Sequence, residues 1–353
     1  MSPHASHTQK KTALSASNQG KSMYDLSKAR RAHCLRAALV CALAVIGVTA
    51  QAQSAYPDHA VRLIVPQSAG SGADVVARLL SEKMASALGA SVVVENKPGA
   101  NGIVATSYVA KAPADGYTLL LAGVSQMSFN PKLYKSLPYD ANKDFAYIAP
   151  VVDTPFVLVA GKNSPYKTLP QLLAAAKASP DGITFASAGA GNSTHLSTEM
   201  IAAGAGIKLK HVPYKGSGPA LNAVIGGQVD VMTSVLGSAL PQIEGGNVVP
   251  LAILADQRAG DLPNVPTLKE AGIQAPAMPG WFAVVGPAGT DGAIISKLNA
   301  AVQAAISDPA TNKKLKDLYF VPLKGSAQAM RTRAEDDAKV WGDFIARTGV
   351  QVD

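Results

Sequence analysis

The stretch from Val61 to Leu80 constrains the fold more than any other part of the chain. Val61, Leu63, Ile64 and Val65 make a short apolar run, the composition of a strand buried on both faces. Pro66 closes it, because proline has no N–H for a sheet ladder. The next residues, Gln67, Ser68, Ala69, Gly70, Ser71 and Gly72, are small or polar, and the two glycines allow a sharp turn and the close approach of a ligand. Asp74 is placed to cap a helix whose apolar positions Val75, Val76, Leu79 and Leu80 keep helical spacing. Strand, turn and helix in this order form a βα unit. The free N–H groups and positive dipole end of such a helix start favour a bound anion.

The pattern repeats downstream. Residues 91–95 read as a second strand, 96–102 as a turn-rich loop, 103–110 as a helix and 117–122 as a third strand, followed by a loop from Gly123 to Asn130. This βαβαβ order implies parallel strands covered on both faces, with ligand-binding loops beyond their carboxyl ends. Apolar runs at 148–152 and 156–160, parted by Asp153-Thr154-Pro155, mark a crossing into a second unit. There, strands at 183–186, 209–212, 229–233 and 249–254 alternate with helices. The Pro- and Gly-rich segment 256–279 returns the chain to a strand at 281–285 and helices at 291–306 and 327–347. The expected fold is α/β, with two domains that are each a mostly parallel sheet flanked by helices. Residues 53–154 plus 277–353 form domain 1, 155–276 form domain 2, and the two crossings leave a cleft between them.

The first 52 residues read as a signal peptide with a polar extension. Lys28, Arg30, Arg31 and Arg36 precede the apolar run 37–50, and Ala50-Gln51-Ala52 gives an A-x-A cleavage pattern near Ala52. That run is too short for an ordinary membrane span. Residues 1–22 are polar and Ser-rich, so Met23 is a second candidate start. Both cysteines, Cys34 and Cys41, fall in this segment, so the exported chain would carry no disulfide. The formal charge of +8 is also concentrated there. Removing its seven basic residues and one acid from totals of 32 and 24 leaves 25 against 23, a net of +2. Such a near-neutral chain offers no basic face for nucleic acid. The reading is of a soluble monomer in the periplasm.

Two loops share one chemistry. Residues 68–74 are the first; Ser187-Ala-Gly-Ala-Gly191-Asn192-Ser193-Thr194, just before His195, is the second. Each joins a strand to a helix start and offers N–H groups and small hydroxyls. Facing each other, they would clamp an anion without lysine or arginine. Each is equally readable as a plain capped turn. Tyr214, Lys215 and Asp230 are further candidates for the cleft, with Asp230 readable also as a turn carboxylate. Gly70-x-Gly72 with Glu95 imitates a dinucleotide fingerprint, but Val75 stands where its third glycine belongs. After the leader only His59, His195 and His211 remain, without metal-ligand spacing, so no metal or other cofactor is expected. A hydrolase would need a nucleophile–base pair, for which only Ser125, Ser193 and His195 present themselves.

Several segments, taken in order, resemble one family over nearly the whole chain after the leader. They are Val65-Pro66 through Asp74 with Ala77-Arg78, Val94 to Ala100, Ala114 to Leu119, His211 to Ala220 and Gly226 to Asp230. The chain is similar here to the substrate-binding components of tripartite tricarboxylate transporters, the Bug family of periplasmic receptors. The resemblance implies a Venus-flytrap periplasmic-binding-protein fold that closes on a small carboxylate. The candidate ligands are a di- or tricarboxylate, an acidic amino acid or an aromatic acid. It places the carboxylate between residues 67–72 and 191–195, held by N–H groups, small side chains and waters. Gln67 stands where the family often has an aromatic, and Asn101 where glycine is common. The implied partners are two membrane permease subunits or, where no permease is adjacent, a membrane receptor that senses the loaded protein.

Overall fold

Two sheets organise the chain in the computed structural model, which describes residues 56–352 except 256, 261, 276–278 and 351. The expected leader and its cleavage site lie outside the described residues. The first sheet comprises β1 (Val61–Val65), β2 (Val92–Asn96), β3 (Thr118–Gly123), β4 (Phe145–Thr154), β10 (Gly280–Pro287) and β11 (Val321–Pro322), in the order β11-β4-β10-β3-β1-β2. The second comprises β5 (Phe156–Gly161), β6 (Thr184–Ser187), β7 (Lys210–Pro213), β8 (Val231–Val235) and β9 (Val248–Leu254), in the order β7-β6-β8-β5-β9. Helices α1 (Gly72–Leu88), α2 (Ile103–Ala110), α8 (Gly292–Ser307) and α10 (Ala327–Thr348) cover the first sheet. Helices α5 (Ser193–Ala205), α6 (Ser217–Ile225) and α7 (Leu236–Glu244) lie on the second, with α4 (Leu169–Ala178) packed into one of its cores. Each sheet with its helices is a lobe. Two further helices, α3 (Asn130–Leu133) and α9 (Pro309–Asp317), belong to the first.

Strand periodicity explains how each sheet buries both faces. Along β5, Phe156, Leu158 and Ala160 enter one core with Leu169, Phe185 and Ile201, while Val157 and Val159 enter another with Val224, Met232 and Ala239. In the first sheet Ile64 and Leu120 pack with Val109, Phe129 and Trp341. Their neighbours Leu63 and Leu119, also fully buried, face the other way.

Three expectations need correction. The sheets are mixed rather than mostly parallel. β1, β2 and β3 are parallel, as are β6, β7 and β8, but β10 runs antiparallel to β3 and β4, and β5 antiparallel to β8 and β9. The antiparallel strands adjoin the crossings at 154–156 and 254–280, where the chain enters a sheet from its neighbour instead of from a covering helix. The loop expected from Gly123 to Asn130 is largely helical: a wide helical turn from Ser125 to Phe129 runs into α3. It is fastened from outside, the Ser128 hydroxyl donating to the Ala334 carbonyl of α10. The cap of α1 is Ser71, whose hydroxyl accepts the Asp74 N–H at 3.3 Å, and not Asp74. Among the described residues, no helix is long and apolar enough to cross a membrane.

Candidate functional site

The carboxyl ends of the parallel strands meet between the lobes. β1, β2 and β3 lead into residues 66–71, 97–102 and the wide turn; β6, β7 and β8 lead into residues 188–192, 214–216 and α7. Two approaches show that these rows face each other. The Asn101 Nδ2 donates to the Gly191 carbonyl at 3.0 Å. A Cβ built on Gly72 would lie 3.6 Å from Ser238 Oγ. The two signature loops therefore line the same cleft, but each has its nearest opposite number elsewhere: loop one meets the start of α7, and loop two meets the turn after β2.

Loop one exposes Ser68, Ala69 and Gly70, with Gln67 half-buried. The Gly70 N–H donates to Asp74 Oδ2 at 2.9 Å, and the Ser71 N–H to the Ser68 carbonyl at 3.2 Å. Asp74 is buried and held by Arg78, whose Nε donates to Oδ2 at 3.0 Å. Burial pushes this carboxyl up, but Arg78, the Gly70 N–H and Asn96 together hold it below the usual carboxylate range. Asp74 is thus anionic at neutral pH and shapes the loop from beneath. Of the first-turn amides of α1, the Asp74 N–H goes to its cap, and those of Gly72 and Ala73 have no recorded acceptor among the described residues.

Loop two spends more of its donors on itself. The amides of Ala188, Gly189, Gly191, Asn192 and Thr194 donate to Thr194 Oγ1, Ser187 Oγ, His195 Nδ1, the Gly189 carbonyl and Asn192 Oδ1. Within the expected stretch 191–195, the amides of Gly191, Asn192 and Thr194 are thus spent inside the loop, since a five-residue turn this tight must pair its own buried polar groups. The amides of Ser193 and His195, in the first turn of α5, have no recorded acceptor among the described residues. Asn192 is the helix cap, and Ser193 is half-buried.

His195 is buried and works inside the loop. Its Nδ1 accepts the Gly191 N–H at 3.0 Å, which assigns the proton to Nε2, 3.6 Å from Glu199 Oε1. Its ring stacks on His211 with centroids 3.8 Å apart, and Phe185 lies against His211 at 4.8 Å. Burial and the neighbouring His195 push His211 down to about 3, so the His211 ring is a neutral imidazole near pH 7. His211 Nε2 lies 2.7 Å from Ser187 Oγ. That serine–histidine pair went unnoticed in the sequence. Ser187 is fully buried and its hydroxyl is shared with the Gly189 backbone, so the pair braces the turn.

Asp230 does not belong to the cleft. Its Oδ2 accepts the Thr184 N–H at 2.8 Å and the Thr184 hydroxyl at 2.7 Å, at the amino ends of β6 and β8. Those ends lie one strand length from the ligand loops, and the carboxylate closes a turn there. Tyr214 follows β7 at the cleft end, donates its N–H to the Ser187 carbonyl at 3.0 Å and packs on the second lobe's core. The structure adds Asn101, Gln126, Asn130 and Ser238. Of these only Ser238 had a signal, Gly237-Ser238 following an apolar strand just as the other two loops do. Among the described residues no group of three or more His, Cys, Asp or Glu side chains is gathered as metal ligands would be.

Two α/β lobes joined by strand crossings, with βα turns facing across a cleft, define a two-lobed solute-binding protein. A family profile described as "Tripartite tricarboxylate transporter family receptor" matches residues 76–350, and the chain belongs to that receptor family. Among relatives it is 39% identical over 290 residues to a UPF0065 protein of Bordetella bronchiseptica, covering 82% of this chain and 84% of that one. With protein BugT of Bordetella pertussis it shares 34% over 312 residues, 88% of this chain and 96% of that one. The solved periplasmic binding protein BugD superposes with a TM-score of 0.79 at 34% identity, covering 84% and 99% of the two chains. MatC of Rhodopseudomonas palustris with bound malate gives 0.77 at 31%, covering 82% and 99%. Rpa4515 of R. palustris with adipate gives 0.80 at 31%, covering 84% and 99%.

Proposed function

We propose that this protein is a periplasmic receptor that captures a small carboxylate, foremost a dicarboxylate, between its lobes and hands it to a membrane permease. It acts by binding and release, as a monomer, with 53–154 plus 277–353 and 155–276 as the two moving domains. The observation that carries the reading is that helix starts from both lobes open onto one cleft. The Gly72 and Ala73 amides of α1 and the Ser193 and His195 amides of α5 are first-turn donors at positive dipole ends. Ser68, Ser193, Ser238 and Gln67 supply neutral polar groups around them. A dicarboxylate suits such a site because it can place one anionic group on each row. The malate and adipate complexes of two relatives support that ligand class. Closure would remove water from around the ligand and strengthen these charge–dipole contacts.

Titration calorimetry with malate, adipate, citrate, aspartate and benzoate tests the reading. At least one carboxylate should bind, and Ser193→Phe, which fills the space before α5, should weaken it by at least about tenfold. If no carboxylate binds, or the variant binds as tightly as the parent, the proposal fails.

A further inference from the structure

The contact between the lobes at loop two is built around one side chain. Asn101 stands in left-handed backbone, with φ 52° and ψ 35°, a region asparagine tolerates better than most residues. Its Nδ2 donates to Asn130 Oδ1 at 2.8 Å and to the Gly191 carbonyl at 3.0 Å, and its Oδ1 accepts from Asn192 Nδ2 at 3.2 Å. Both donor hydrogens and the acceptor are used, and two of these three bonds cross from one lobe to the other.

Each side of this contact is braced by its own lobe. On the first lobe, the Asn101 carbonyl accepts from Gln126 Nε2 at 3.0 Å and Asn130 Nδ2 at 3.4 Å. Asn130 is held in turn by the Tyr139 hydroxyl at 3.0 Å, and that hydroxyl donates to the Gln126 carbonyl at 2.8 Å. On the second lobe, His195 fixes the Gly191 N–H, and Asn192 is anchored as the α5 cap. The fit leaves no slack. Gly191 has φ +72°, and a Cβ there would come within 2.8 Å of Val352 and 2.9 Å of Leu133, both on the first lobe.

We infer that Asn101 is a latch: a positioning residue that sets how readily the lobes part, and so how tightly a ligand is kept. Its consequence for affinity rests on the carboxylate reading above, but its effect on lobe opening does not. Opening breaks the bonds to Gly191 and Asn192 and leaves the bond to Asn130. Two net hydrogen bonds of ordinary strength shift an open–closed equilibrium by roughly ten- to thirtyfold. Asn101→Gly keeps the backbone conformation and removes the latch. Asn101→Asp keeps the size but points a carboxylate at the Gly191 carbonyl and Asn130 Oδ1, both acceptors, so it should open the lobes further than glycine does.

The test is an interlobe distance. In the full chain with Cys34 and Cys41 replaced by serine, spin labels on cysteines at the exposed positions Lys111 and Lys177 report one lobe each. Without added carboxylate, Asn101→Gly and Asn101→Asp should both move the distance distribution to longer values than the parent. Asn192→Asp approaches the latch from the other lobe, keeps the cap oxygen and should do the same; it decides the matter should an Asn101 variant fail to fold. With malate or adipate, the glycine variant should bind about tenfold more weakly and release faster. Folded variants whose distances match the parent would overturn the latch. A parent that binds neither malate nor adipate would instead count against the ligand reading, and the distance measurement would still decide the latch.

Discussion

His211 shows how one residue couples the binding loop to pH. The unfolded chain protonates this histidine near its ordinary value of 6.5, whereas the folded chain holds it neutral down to about 3. Between those values the unfolded state binds the extra proton, so stability is full above the upper one and declines as pH falls through the window. The slope from this one group approaches about 1.4 kcal/mol per pH unit. Urea unfolding at pH 7 and pH 5 should show a clear loss in the parent and a smaller one in His211→Gln. Equal losses in both proteins would mean that other groups carry the acid sensitivity. The loss would be felt at the cleft, because His211 stacks on the ring that holds Gly191.

Among the elements, α10 has the most informative attachment. It reaches back to the first sheet through Arg333, whose Nη2 is 2.6 Å from Asp153 Oδ1 and whose Nε is 4.0 Å from Asp337 Oδ2. Asp337 accepts the Trp281 indole N–H at 2.7 Å. Asp153 and Trp281 occupy the ends of β4 and β10 where the chain crosses between lobes, so this cluster ties α10 to the hinge. Burial raises both carboxyls, opposed at Asp153 by Arg333 and at Asp337 by Trp281 and Arg333. Arg333→Met would leave two carboxylates in a half-buried site without their cation. It should destabilise the protein by about 3 kcal/mol at pH 7.5. The penalty should shrink at pH 4.5, where carboxyls of raised pKa take up protons. Chemical denaturation at both values measures this, and a loss that does not change with pH would exclude the ion cluster as its cause.

At the scale of the molecule, the lobes are joined by more than the two chain crossings. Gly237 at the start of α7 sits so close to the Leu318 carbonyl that a Cβ there would lie 1.9 Å away, and Phe320 packs 3.3 Å from the Cβ position of Gly72. The segment between α9 and β11 is therefore wedged against the second lobe beside loop one, while Asn101 joins the lobes at loop two. A ligand touching both rows of loops should stabilise the two lobes together. A bound carboxylate at one hundred times its Kd should add about 2.7 kcal/mol and raise Tm by roughly 4–5 °C in one transition. Calorimetry that showed only part of the transition moving would mean that the ligand engages a single lobe.

Most of the fold was legible because strand and helix periodicity and the Pro and Gly boundaries are local properties. Apolar runs such as 61–65 and 156–160 can do little else but form buried strands, and small-residue turns before helix starts announce the loops from 66 and 187. Family membership was legible for the same reason, as several short stretches in a fixed order. Strand direction was not, since it depends on which edge of a sheet the chain re-enters after crossing. The site was half legible. The two loops were found, but Asp230 was misplaced and nothing local showed that the Gly191 and Thr194 amides are spent within their own turn, because whether a polar group faces a ligand or its own turn is settled by tertiary neighbours. Asn101 and Asn130 carry no signal as a latch until residues far apart in the chain meet. Sequence alone thus determined the elements and the family, through local steric and hydrophobic rules; the tertiary structure alone decided which hydrogen-bonding groups are spent internally and which remain to hold the lobes together or a ligand between them.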